Sequence, residues 1–175
     1  TVLMDGNTIS SYRGGAVYNY AQLSVTNSTF SANIAPAAES LLVGGGAIYN
    51  AQTGTATITQ SLFHDNAGNF GGAIVNAGQM TITASTVARN YSNTRDGGGI
   101  LNAGTLEITN TLLAENVSNE SHPDLYAYAG TVTGSYNLSS FADWGEGAGN
   151  IVWTGEGLFL DSGENPFTPA PGSAA

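Results

Sequence analysis

Cysteine is absent from the 175 residues, so no disulfide framework staples the chain, and export is neither required nor excluded on that ground. Lysine is absent as well. The only cations are Arg13, Arg89 and Arg95, against thirteen acids, for a formal charge of −10. A balance of that sign repels nucleic acid and anionic membrane surfaces. No apolar run is long enough to cross a membrane as a helix, so no transmembrane segment is expected. Neither a signal peptide nor an initiator methionine stands at the start, and the chain reads as a mature or excised piece of something longer.

Glycine is plentiful, at 24 residues, but lacks the every-third spacing of collagen. It falls instead in a repeated phrase: GGAVYN at 14–19, GGAIYN at 45–50, GGAIVN at 71–76 and GGGILN at 97–102. A second phrase follows each: FSAN at 30–33, FHDN at 63–66, VARN at 87–90 and LAEN at 113–116. Fourteen residues separate the closing asparagines of the two phrases in three copies, and the second copy is two residues longer. Units this short cannot bury a core alone and must stack on one another.

Aligned on the second asparagine, the copies alternate. Phe30, Phe63, Val87 and Leu113 stand three places back; Val25, Ile58, Ile82 and Ile108 stand eight back; Leu23, Ala56, Met80 and Leu106 stand ten back. Polar residues fill the places between. Period two belongs to strands with one buried face. In the first phrase Val17, Ile48, Ile74 and Ile100 should point inward, and Tyr18, Tyr49, Val75 and Leu101 outward. The asparagines Asn19, Asn50, Asn76 and Asn102 should stack at one corner, and Asn33, Asn66, Asn90 and Asn116 at another. Inward amides there would satisfy backbone groups otherwise buried without a partner.

The two phrases, over residues 14–116, are similar to those of chlamydial polymorphic outer-membrane proteins and related bacterial surface proteins with right-handed parallel β-helix passengers. Gly14-Gly15-Ala16-Val17, Gly45-Gly46-Ala47-Ile48 and Gly71-Gly72-Ala73-Ile74 fit the first motif, while Gly99 occupies the alanine place of the fourth copy. Phe30 to Asn33 and Phe63 to Asn66 fit the second; Val87 and Leu113 replace its phenylalanine later. The resemblance implies surface display and adhesion, and it implies no catalytic residue that can be placed here.

The expected fold is therefore all-β: a right-handed parallel β-helix of about five to seven coils, with internal Asn and Ser/Thr ladders. Residues 1–175 read as one domain. Residues 1–13 end an incomplete coil, 14–116 are regular repeats, and 117–175 form irregular final coils and a C-terminal cap, with Trp144, Trp153 and Phe159 as cap residues. Phe70 should cover the side of the helix. Pro36 and the apolar run at 41–43 mark a surface excursion. Further coils or a partner domain are expected at the N-terminal end, where an open strand edge would otherwise invite aggregation.

Three functional readings follow. In the first the chain is a non-enzymatic extracellular or cell-surface module. Tyr18, Tyr49, Val75 and Leu101 would form a recognition patch for a host or neighbouring-cell surface protein or glycan; the alternative is that another segment, such as residues 41–43, simply covers them. In the second it is a polysaccharide-active lyase or hydrolase, which needs paired carboxylates or Ca²⁺ with a basic group beside it. Ala32, Asp65, Arg89 and Glu115 share one outward column that supplies no such pair. His64 and Asp65 should diverge by alternation, and His122 lies near Glu120 and Asp124 in sequence. In the third, outward residues Ser24, Thr26, Thr57, Thr59, Thr81, Thr83 and Thr109 form a Thr-x-Thr face that binds ice, interrupted by Glu107. No cofactor is expected. A structural Ca²⁺ has candidate ligands in Asp143, Glu146, Glu156, Asp161 and Glu164. Its test is calorimetric melting with and without calcium, an unchanged midpoint excluding it.

Overall fold

The structure is a computed structural model; it describes residues 2–7, 13–35, 44–93, 96–144, 147–153 and 158. Phe159, Pro36, Arg95, residues 41–43 and four of the five calcium candidates (Glu146, Glu156, Asp161 and Glu164) lie outside these.

The chain winds as a right-handed parallel β-solenoid of about five turns. Every strand pairing among the described residues is parallel, and partners come from successive coils. The first phrase makes a five-stranded sheet from β2 (Val17–Asn19), β5 (Ile48–Asn50), β9 (Ile74–Asn76), β13 (Ile100–Asn102) and β17 (Leu125–Ala127). The alternating stretch behind it makes a second, from β3 (Gln22–Thr26), β6 (Thr55–Thr59), β10 (Gln79–Thr83), β14 (Thr105–Thr109) and β18 (Thr131–Ser135). The second phrase makes a seven-stranded sheet, with β1 (Leu3–Asp5), β4 (Thr29–Ser31), β7 (Leu62–His64), β11 (Thr86–Ala88), β15 (Leu112–Ala114), β19 (Leu138–Ser139) and β20 (Ile151–Val152). A short fourth sheet joins β8 (Ala67–Gly68), β12 (Tyr91–Ser92) and β16 (Val117–Ser118). The stack thus continues in register past residue 116 through β17, β18 and β19.

Inward side chains of three sheets meet in one narrow core. Ile48, Ile74 and Ile100 face Ile58, Ile82 and Ile108 across it, all without solvent exposure. Phe30 and Phe63 stack 4.7 Å apart with ring planes 7° from parallel, because the parallel register puts them directly above one another. Trp144 closes on this core, edge-on to Phe141 at 5.2 Å.

Corners are held by two asparagine ladders. Asn19, Asn50 and Asn76 each donate through Nδ2 to the Oδ1 of the next coil's asparagine, at 2.7, 2.8 and 2.7 Å. Asn7, Asn33, Asn66 and Asn90 do the same toward Asn116, at 2.7 to 2.9 Å. A hydroxyl ladder runs beside them: the backbone N–H groups of Ser28, Ser61 and Ser85 donate to Ser61 Oγ, Ser85 Oγ and Thr111 Oγ1. Two further columns turn the chain through left-handed backbone. Asn27, Gln60, Ala84, Asn110 and Tyr136 form one, and Ala32, Asp65, Arg89 and Glu115 the other, with φ between 48° and 57°. Non-glycine residues resist this conformation by about 1–2 kcal/mol each; backbone bonds to the next coil, such as Gln60 N–H to the Thr83 carbonyl at 3.1 Å, offset it. Glycine is required where coils touch: a Cβ at Gly72 would sit 1.8 Å from the Gly98 carbonyl oxygen.

Candidate functional site

The outward column on the first-phrase sheet is not the exposed patch that alternation suggests. Tyr18 is 40 % exposed, but Tyr49, Val75 and Leu101 are buried at 8 %, 0 % and 1 %. Phe70, from the turn between coils two and three, packs on them with Ala51, and Ala103 and Tyr126 complete a second small core. Period two fixes the direction of a side chain, not whether another segment lies over it. Phe70 covers the side of the helix, as expected, and what it covers is this column.

At the N-terminal end the cover gives way to a polar aromatic cluster. Tyr18 packs between Tyr49, 5.5 Å away, and Tyr20, 6.1 Å away. The exposed Arg13 lies over the Tyr18 ring at 5.0 Å and the Tyr49 ring at 5.8 Å, and its Nη1 donates to the Tyr18 hydroxyl. Burial raises the Tyr49 phenol above its usual value, against the lowering influence of Arg13. Tyr20, 67 % exposed, was not anticipated; its position directly after the ladder Asn19 was the available sign.

The second-phrase corner corrects another expectation. His64 and Asp65 do not diverge: His64 Nδ1 lies 2.7 Å from Asp65 Oδ2. Asp65 has φ 54°, and that left-handed turn breaks the alternation that would have separated them. In the next two coils the column pairs Arg89 Nε with Glu115 Oε2 at 2.9 Å.

A second cluster assembles where the fourth coil meets the fifth. Buried Asp96 accepts the backbone N–H groups of Ser121 and His122 at 2.7 and 2.9 Å, and His122 Nδ1 lies 3.1 Å from the same Oδ1. Desolvation pushes the Asp96 carboxyl upward, but the hydrogen bonds from His122 and Ser121 outweigh it and hold the pKa below the usual value. The His122 ring stacks on Tyr126 at 4.7 Å. Asp124, close to His122 in sequence, has a different task. Its Oδ1 accepts from Asn116 Nδ2 at 2.9 Å and its Oδ2 from the Ser140 N–H at 2.8 Å. Asp124 therefore terminates the longer asparagine ladder. Burial raises its carboxyl pKa, and the bonds from Ser140 and Asn116 counter only part of that. The sequence carried a sign of it: Gly99 replaces the alanine of earlier copies, and a Cβ there would sit 2.6 Å from the Asp124 carbonyl oxygen and 3.0 Å from Asn116 Nδ2.

Asp143 is exposed and borders a cleft with Ser121, His122, Pro123 and Phe141. Among the described residues no three His, Asp or Glu side chains are close enough to share a metal ion.

The alternating stretch places the Thr-x-Thr residues as expected and extends them. Ser24, Thr57, Thr81, Glu107 and Thr133 form one outward column; Thr26, Thr59, Thr83, Thr109 and Ser135 form the next. Gln22, Thr55, Gln79, Thr105 and Thr131 form a third. All fifteen are exposed or half-exposed. No side-chain hydrogen bond among the described residues engages their hydroxyls.

Residues 27–51 match the family model described as the Chlamydia polymorphic membrane protein repeat. That segment runs from the left-handed Asn27 through the second GGA phrase, so the similarity includes residues that set corners and ladders, among them Ala32, Asn33 and Asn50. Neither a curated protein nor a solved structure is significantly similar to the chain. The partial match and the β-solenoid are consistent with this broad class of surface proteins.

Proposed function

We propose that the chain is a non-enzymatic module of an extracellular or cell-surface adhesin, holding a small recognition patch on a rigid stack. The observation that supports this is the cluster of Arg13, Tyr18 and Tyr20: two exposed tyrosines beside an exposed guanidinium that no described carboxylate pairs. Tyrosine and arginine are the side chains that most often anchor protein partners, and tyrosine rings also stack on sugars. The partner is a protein or glycan of a host or neighbouring cell. Glycan-array and surface-protein binding of the chain, compared with Arg13→Ala and Tyr20→Ala variants, tests it. Binding weakened by both substitutions supports the patch. Binding unaffected by either, or none at all, leaves the stack as a spacer.

A polysaccharide-active enzyme is the second reading, and the Asp96–His122 pair favours it. A buried carboxylate bonded to an imidazole fixes its orientation, an arrangement suited to proton transfer. Release of reducing ends from neutral or acidic polysaccharide, abolished in His122→Ala, would support it; equal release from that variant would exclude His122.

A further inference from the structure

We infer that the hydroxyl face of the β3–β6–β10–β14–β18 sheet binds ice. This reading concerns a different face from the Arg13 patch and does not depend on it.

The three outward columns hold three, four and five Ser or Thr residues of five each. Threonine favours extended backbone, so strand propensity alone would enrich it on every exposed strand. It does not do so here. On the seven-stranded sheet one outward column, Leu3, Thr29, Leu62, Thr86, Leu112, Leu138 and Ile151, holds two threonines of seven, and the other, Asp5, Ser31, His64, Ala88 and Ala114, holds none. Enrichment is confined to one face.

Geometry and charge then narrow the occupant. Strands of five residues pair without a bulge through five coils, so the hydroxyls repeat at roughly 4.8 Å across the coils and 6.6–6.8 Å along each strand. The array is periodic in two directions. One carboxylate, Glu107, lies on it, although the chain carries thirteen acids and a charge of −10. A charged partner would find only Glu107 there to pair with, and no aromatic side chain on the face offers a stacking platform for a sugar ring. Each threonine carries a methyl group beside a hydroxyl that no side-chain hydrogen bond among the described residues engages. A neutral lattice repeating in two directions, with hydroxyls as both donors and acceptors, complements such a face. The surface of crystalline water has that chemistry.

The test is thermal hysteresis and inhibition of ice recrystallisation by the whole chain. Wild type should be active. Thr59→Tyr with Thr83→Tyr, at the centre of the array, should lose activity, while Val117→Tyr on β16 should keep it, with circular dichroism showing both folded. Glu107→Thr should lower the concentration that arrests recrystallisation, because it completes a column; this arm stands even if the double variant misfolds. An inactive wild type overturns the inference. So does a folded double variant as active as wild type, or a Glu107→Thr variant with no gain. Co-sedimentation with crystalline cellulose in place of ice activity would assign the face to a polysaccharide lattice and equally overturn it.

Discussion

Two outward faces of the same solenoid obey the same period-two rule and end differently. On the first-phrase sheet the column from Tyr49 to Leu101 turns away from the main core and is buried a second time, in a small cluster with Phe70, Ala51, Ala103 and Tyr126. On the adjacent sheet the threonine columns turn away from that core and stay in water. The strands do not make the difference. It comes from what lies over them, and from whether the corner beside them is regular or reworked, as it is at Asp96, Gly99, His122 and Asp124.

The largest way to break the contrast is truncation at matching levels. Leu101→Ala should lower unfolding free energy by about 2–5 kcal/mol, the range for a buried leucine lost from a packed site. A denaturant titration in which Leu101→Ala behaves like a surface change would mean that the second core contributes little. The next effect is position-specific. Gly99→Ala restores the phrase of the earlier copies, yet it should destabilise by about 1–3 kcal/mol because the Asp124 backbone occupies the space. Unchanged stability in that variant would remove Asp124 as the reason for the glycine.

Acidity separates the two aspartates of the reworked corner. Asp96 has a folded pKa below 3.8, so the stability it contributes is present above 3.8 and is lost as pH falls through the folded value. The stability gap between wild type and Asp96→Asn should therefore narrow in acid. Asp124 has a folded pKa above 3.8. Between 3.8 and that value the folded chain holds a proton that the unfolded chain releases, so wild type should gain on Asp124→Asn as pH falls from neutral toward 3.8. Denaturation midpoints over a pH series would expose parallel trends, which contradict the assignment. The smallest effect belongs to the bare face: Thr81→Ala should change stability by no more than about 0.5 kcal/mol. A larger loss there would show that the hydroxyl face is covered after all.

Repetition made the fold legible. Fourteen-residue intervals aligned the coils, and alternation then assigned Ile48, Ile58 and Phe63 to the core and the asparagines to their ladders. The sites were less legible because they depend on departures from repetition. Val75 and Leu101 do point away from the main core, and alternation gives no sign of the second cluster, with Phe70, Ala51, Ala103 and Tyr126, in which they are buried. His64 meets Asp65 only because Asp65 takes left-handed backbone, which aspartate tolerates better than most residues but which alternation does not foresee. Asp96 and His122 are 26 residues apart, one coil, so the period itself would have brought them together had it been applied to acids and histidines as well as to apolar residues.

The asparagine ladders also have a direction. Each amide donates toward the C-terminal coil, and the strand pairings likewise join coil to coil, along the stack. Tension applied between the two ends would pull along those bonds and load one coil boundary at a time. The molecule should therefore peel in steps, each freeing one coil; a coil of 26 residues, as between Asn76 and Asn102, extends to roughly 90 Å. Single-molecule stretching would record such steps as a sawtooth. A stack built this way yields by increments under load while the rest of it keeps its shape.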